Sequence, residues 1–278
     1  MKLSLRHVTK EYPTREGQML ALHETSLEIQ SGEFACLVGP SGCGKTTLLN
    51  LIAGLERPTR GEILRNGEKI TRPGSDRVVI FQESALFPWL NVIQNIEFGL
   101  VGRMEAKKRR DIARTFLNLV HLGRFEKSFV HELSGGMKSR VAIARALALN
   151  PAILLMDEPF AALDAQTRDI LHEELQDIWL TTHQTVVFVT HNVREAVRLG
   201  DRVLVFTARP GKIKKEFRIA LPHPREMSSP ALLPYIQQIQ KELREEIEKV
   251  LQEDVDREWK LKKAEFLRPA GIDLGSGI

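Results

Sequence analysis

With 278 residues, 42% of them hydrophobic, the chain is long enough to bury a sizeable core, as one large domain or as a domain with an appended tail. Its 40 basic and 36 acidic residues leave a net charge of +4 spread through a mixed surface, which sets aside a nucleic-acid-binding arm and nucleic acid as a partner. The two cysteines, Cys36 and Cys43, have neither metal-ligand spacing nor the makings of a disulfide framework, as suits a reducing cytoplasm.

In chain order, Leu3, Leu5 and Val8, then Leu20, Leu22, Leu27 and Ile29 after a turn, predict antiparallel strands with one buried face. The run Phe34-Ala35-Cys36-Leu37-Val38 does not alternate, so it predicts a strand buried on both faces, as in a parallel sheet. Ile153-Leu154-Leu155-Met156 and Val186-Val187-Phe188-Val189 repeat that pattern, and each ends in polar residues. Between them, residues 89–150 turn helical and predict a helical insertion in an α/β core. The prolines near Leu221-Pro222-His223-Pro224 break the fold, and residues 226–278 are expected to form a helical extension. Its stripe runs through Ile236, Ile239, Leu243, Ile247, Val250 and Leu251, opposite a solvated face carrying Glu245 and Lys249 at i, i+4, with Trp259 and Phe266 beyond. Either the chain's own core or a partner covers that stripe. Met1-Lys2-Leu3 opens no basic-then-apolar leader, and no apolar run approaches the roughly 20 residues of a spanning helix. A membrane role is therefore expected only through a partner.

Gly39-Pro40-Ser41-Gly42-Cys43-Gly44-Lys45-Thr46 fits G-x-x-x-x-G-K-[ST] between a buried strand and the helical run from Thr47 to a closing Gly54. The glycines let backbone N–H groups converge on phosphate, Lys45 reaches the β- and γ-phosphates, and Thr46 offers its hydroxyl to Mg²⁺. Cys43 is expected to be a small loop residue without redox work. Asp157 and Glu158 end the second buried strand, where Asp157 would hold Mg²⁺ through its water shell and Glu158 would act as general base on the attacking water. His191 ends the third strand before Asn192-Val193-Arg194-Glu195, an N-cap with a capping-box partner, and is expected to contact the γ-phosphate. The expected fold is α/β: a P-loop NTPase core, a mostly parallel sheet flanked by helices, with an N-terminal antiparallel β subdomain and the inserted helical subdomain.

Leu133-Ser134-Gly135-Gly136-Met137, lying after the helical insertion and before Asp157-Glu158, resembles the signature of ABC ATPases. Gln82 in Val79-Ile80-Phe81-Gln82 resembles the Q-loop glutamine, which also reaches the metal; Phe160-Ala161-Ala162-Leu163-Asp164 resembles the D-loop; Tyr12 falls where the family stacks an aromatic on adenine. Met137 stands where the signature usually has Gln. The resemblance covers about residues 3–220 and implies an ATPase domain over 1–225 that uses ATP and Mg²⁺. It further implies a head-to-tail dimer with a second, identical or different, ATPase subunit. ATP would be held between the P-loop, with Thr47, of one subunit and Ser134, Gly135, Gly136 and Asp164 of the other. Two membrane-spanning permease subunits would receive the motion near Phe87-Pro88-Trp89-Leu90, residues that could equally pack inside the helical subdomain. These features, with Ala208-Arg209-Pro210-Gly211-Lys212-Ile213, resemble the nitrate/sulfonate/taurine group of importers, which implies an external solute-binding protein and a place on the cytoplasmic face of the membrane. A soluble ABC ATPase acting on ribosomes or DNA is the alternative; such proteins generally carry two cassettes or a coiled-coil insertion.

Overall fold

The computed structural model describes residues 2–15 and 17–266, with side chains described as far as residue 252. β1 (Leu3–Thr14) pairs antiparallel with β2 (Gly17–Ile29), placing Leu3 opposite Ile29 and Leu5 opposite Leu27. Leu5 and Val8 both face inward although three residues apart, because a bulge at His7, with φ +48°, resets the alternation. β3 (Phe34–Val38) leads into the glycine-rich loop 39–44, the phosphate loop of the sequence reading, and α1 (Lys45–Ala53). Gly54 ends α1 at φ +76° with its N–H on the carbonyls of Asn50 and Leu51; a Cβ there would lie 2.5 Å from Arg72 O. β4 (Arg60–Arg65) and β5 (Glu68–Lys69) complete a four-stranded sheet in the order β2-β1-β4-β5.

After β6 (Arg77–Ile80) comes the helical insertion, α2 (Val92–Glu97), α3 (Ala106–Leu119) and α4 (Gly135–Ala148). Asn91 caps α2 in a reciprocal box with Gln94. Buried Asn95 accepts from Phe87 N–H at 2.8 Å and donates to the carbonyls of Phe87, Leu90 and Asn91, which fixes the loop ahead of the helix. The chain continues through β7 (Ile153–Asp157), α5 (Ala165–Thr182), β8 (Thr185–Val189), α6 (Val193–Leu199), β9 (Arg202–Phe206), β10 (Ile213–Arg218) and α7 (Leu233–Phe266).

The second sheet runs β10-β9-β3-β8-β7-β6, all parallel except β10. Its central strands are apolar throughout because both faces are covered. Ala35, Leu37, Leu155 and Val187 pack with Leu48, Leu49 and Ile52 of α1 on one face, while Phe34, Cys36, Met156 and Phe188 pack with the insertion and the C-terminal helices on the other. On that second face Leu232, Ile236, Ile239 and Leu243 enter the main core, so the chain itself covers the first half of the α7 stripe; Ile247 (40%) and Leu251 (59%) stand exposed. Arg225, buried just before α7, donates to the carbonyls of Val197, Gly200, Ile219 and Leu221. The expected Glu245–Lys249 pair does not form. Glu245 meets Lys214 of β10 at 2.6 Å and Lys249 meets Glu246 at 2.7 Å, because β10 lies alongside the acidic face of α7 and draws Glu245 sideways. Trp259 and Phe266 lie outside the described side chains.

Candidate functional site

β3, β8 and β7 are neighbours and run parallel, so the loops that follow them open at one edge of the sheet. That brings residues 39–46, Asp157-Glu158 and Thr190-His191 together where open α/β sheets take ligands. These segments meet at a cavity of about 560 Å³ whose lining includes Tyr12, Ser41, Gly42, Gly44, Lys45, Thr46, Thr47, Gln82, Asp157, Glu158 and His191.

The loop's shape follows from its glycines. Gly42 and Gly44 have φ +72° and +96°, a region costly for other residues, and a Cβ on Gly44 would lie 2.7 Å from Ala21 O. Gly39 has equally little room, with Cys43 Sγ and Phe206 Cβ each 2.9 Å from where its Cβ would be. Gly39, Pro40 and Cys43 form the back of the loop and do not line the cavity. Lys45 Nζ donates to the carbonyls of Gly39 and Pro40, each at 2.8 Å, and lies 3.6 Å from Cys43 Sγ. Burial pushes the Cys43 thiol above its ordinary value against the pull of Lys45, so the group stays protonated. Tyr12 Oη donates to Glu56 Oε2 at 2.6 Å, which holds the ring at the cavity's edge.

Asp157 sits at the buried end of β7. Burial raises its carboxyl above the ordinary range, Glu158 adds to that, and a hydrogen bond from Thr46 and the charge of Lys45 oppose it. Glu158 follows at φ +46°, strained for a non-glycine residue, with its N–H on Val189 O at 2.9 Å and Oε2 2.9 Å from His191 Nδ1. This backbone turn swings Glu158 out of the strand toward the cavity while Asp157 stays at its floor. The capping box expected at His191 is not reciprocal. Asn192 accepts from the N–H groups of Arg194 and Glu195, yet the Asn192 N–H goes to Thr190 Oγ1 at 3.0 Å. The Glu195 carboxylate is drawn instead to Thr190 and to buried His172, at 2.7 Å, because a buried acid takes the nearest strong donors.

Ser134, Gly135, Gly136 and Asp164 do not line the cavity. Ser134 caps α4, accepting from Met137 N–H at 3.3 Å, and Asp164 caps α5, accepting from Thr167 N–H at 3.0 Å. The two caps are neighbours, since a Cβ on Gly136 would lie 3.3 Å from Leu163 Cδ2 and 3.4 Å from Ala162 O. The cavity also has lining residues that motif reading missed, namely Met19, Ala21, Val189 and Arg209. The only signal for Arg209 lay in the segment from Ala208 to Ile213, which carries no phosphate-site spacing of its own.

Comparison with known proteins shows the family. The family model described as ABC transporter matches residues 22–161. An ABC transporter ATP-binding protein of Methanocaldococcus jannaschii is 49% identical over 252 residues, 90% of this chain and 94% of the relative. The chain belongs to the ABC transporter family. The nitrate import ATP-binding protein NrtD of Synechocystis sp. is 48% identical to this ABC ATPase, covering 81% of the chain and 85% of NrtD. The aliphatic sulfonates import ATP-binding protein SsuB of Bacillus cereus is 43% identical, covering 89% and 96%. Among solved structures, the dimeric post-hydrolysis state of the ATP-binding cassette MJ0796 bound to ADP and Pi superposes with a TM-score of 0.73 at 35% identity, covering 79% of this chain and all of that one. As a member of this family, the ABC ATPase binds and hydrolyses ATP.

Proposed function

We propose that the chain is the ATP-hydrolysing subunit of an importer for a small solute of the nitrate, sulfonate, taurine or bicarbonate type. The observation that carries the chemistry is the convergence of Lys45, Asp157, Glu158 and His191 in one cavity at the ends of three adjacent parallel strands. The solute class is supported by NrtD and SsuB. The relatives described above by function are transport proteins, which favours transport over mechanical work on ribosomes or DNA.

The loop N–H groups and the start of α1 cradle the phosphate chain, and Lys45 leaves the carbonyls of Gly39 and Pro40 to meet it. The oxygen donors Thr46, Asp157 and Gln82 suit Mg²⁺: Asp157 is desolvated beside the Thr46 hydroxyl, and Gln82 lines the same cavity. When bound, the ion would neutralise charge developing on the β- and γ-phosphates. Glu158 accepts the proton of the water that attacks the γ-phosphorus, and ADP is the leaving group. His191, hydrogen-bonded to Glu158, holds that carboxylate in place and stands near the γ-phosphate. Ser134, Gly135, Gly136 and Asp164 lie off this cavity and serve the site of a second ATPase subunit in a head-to-tail pair, identical or different.

Two permease subunits are the remaining partners, met at the aromatic tip where Trp89 is 70% exposed and Phe87 packs against Phe98 at 4.3 Å. An external solute-binding protein selects the solute. Among the described residues no helix is long and apolar enough to cross a membrane. The likeness to importer ATP-binding proteins supports attachment through those partners to the cytoplasmic face.

Glu158→Gln tests the reading. It keeps a side-chain oxygen within reach of His191 but removes the base, so kcat should fall about 10²–10⁴-fold with ATP affinity retained and dimers accumulating in Mg·ATP. Undiminished turnover would refute the role of Glu158.

A further inference from the structure

β9 and β10 are joined by a strap, residues 207–212, that lies against the back of the phosphate loop. Gly211 is fitted to that contact: a Cβ on it would lie 1.8 Å from Cys43 O, its N–H donates to Ala21 O at 3.1 Å, and its carbonyl accepts from His23 N–H at 2.8 Å. Thr207 closes the turn, its N–H on Lys212 O and its hydroxyl on Pro210 O. From this strap Arg209 reaches into the cavity, with Nε 3.2 Å from Gly42 O and Nη1 3.7 Å from Met19 Sδ. Met19 is the cross-strand partner of Tyr12, so the guanidinium bridges the phosphate loop and the edge of the cavity that holds the tyrosine. Of its five N–H donors, two are spent on these contacts and three have no partner among the described residues. Lys45 differs, since its three donors already have partners, the carbonyls of Gly39 and Pro40 and the sulfur of Cys43, so it must give up at least one of them to bind an anion.

Behind the strap stands Glu246 of α7, only 1% exposed. Its Oε2 accepts from Ala208 N–H at 2.9 Å, one residue before Arg209, while Oε1 takes Lys249 at 2.7 Å and Lys214 at 3.1 Å. A carboxylate buried this deeply is tolerated only when both oxygens are satisfied, and here the backbone of the strap is one of the three donors.

We propose that Arg209 binds the phosphate chain of the nucleotide and that Glu246 positions it by fixing the strap, which makes α7 part of the nucleotide site. The inference rests on the cavity being the ATP site. A guanidinium with free donors in a phosphate-binding cavity matches phosphate oxygens in charge and in geometry, and the path from Glu246 through Ala208 to Arg209 ties the C-terminal helix to it.

The test is nucleotide binding to the full chain, read with fluorescent mant-ATP and mant-ADP and by competition with adenosine. Arg209→Gln, at an exposed position, should weaken mant-ATP and mant-ADP about tenfold and leave adenosine unchanged; Arg209→Lys should recover part of the loss. Glu246→Ala should weaken mant-ATP about threefold on its own and add nothing in an Arg209→Gln background. Glu246→Gln, which keeps an acceptor for the Ala208 amide, should lose less. If Glu246→Ala does not fold, Glu246→Gln carries the same additivity test. Unchanged mant-ATP binding in Arg209→Gln overturns the contact, an equal loss for adenosine reduces the strap to scaffolding and overturns it too, and additive losses overturn the positioning role. A wild-type chain that bound no mant-ATP would overturn the nucleotide reading together with this inference, whereas normal wild-type binding with an indifferent Arg209→Gln would overturn this inference alone.

Discussion

Truncation of Ile239 and of Leu251, twelve residues apart on one helix, should give opposite results. Ile239 is fully buried in the main core, whereas Leu251 is 59% exposed. Ile239→Ala removes apolar atoms from a packed site and leaves a void that neighbours such as Ile236 and Leu243 fill only in part, a change that costs about 2–5 kcal/mol. Leu251→Ala removes atoms already in water and should stay within about 0.5 kcal/mol. For a chain of this size the first corresponds to a drop in Tm of roughly 5–15 °C and the second to about 1 °C. Urea midpoints and thermal melts, taken at one protein concentration and again after dilution, measure both. A silent Ile239→Ala would refute the docking of α7 on the ATPase core. An equal loss in Leu251→Ala would show the second half of the stripe to be covered in solution, by a second copy if the loss faded on dilution.

Other outcomes follow from the site. Because burial raises the Asp157 carboxyl, the folded chain holds that proton more tightly than the unfolded one; the contribution is intact below the ordinary aspartate range and is lost as pH rises through the folded value. Asp157→Asn should therefore raise Tm at neutral pH while abolishing Mg²⁺-dependent turnover, and a lower Tm would contradict the assigned cause. Gly211→Ala places a methyl group against Cys43 O, so it should weaken ATP binding at least tenfold by displacing the phosphate loop, measured by titration beside a melt. Cys36 and Cys43 are both buried with raised thiol values, so iodoacetamide should label neither until the chain is unfolded, followed by mass spectrometry. Trp89→Ala should leave ATPase activity of the isolated subunit within about twofold while reducing co-purification with the permease subunits.

Much of the core was legible because local pattern and tertiary environment agree. Phe34 to Val38, Ile153 to Met156 and Val186 to Val189 are apolar at every position, which only a strand covered on both faces requires, and Lys45, Asp157, Glu158 and His191, from the segments that follow them, line the cavity. Legibility failed where the deciding partner is remote in sequence. Glu195 has the spacing of a capping box, but His172, 23 residues earlier, claims its carboxylate. Glu245 and Lys249 have ideal helical spacing, yet Lys214 on a neighbouring strand takes one of them. Arg209 lies in a segment with no phosphate-site spacing and Glu246 in a helix turn with none; what joins them is a strap packed on the loop 39–44, through Gly42 O and the Ala208 amide, which residue spacing cannot express. The bulge at His7 shows the same limit locally, since Leu5 and Val8 are three apart and still share a face.

Asn95 separates the shape of the aromatic tip from the identity of its residues. One buried amide makes four hydrogen bonds to the backbone of Phe87, Leu90 and Asn91, so the course of the loop does not depend on the side chains it displays. Trp89, 70% exposed, is free to be exchanged for another residue without reshaping the scaffold beneath. On the proposed reading of the tip as the permease contact, a lineage that changed its permease could retune it one surface residue at a time while the amide clamp stayed as it is.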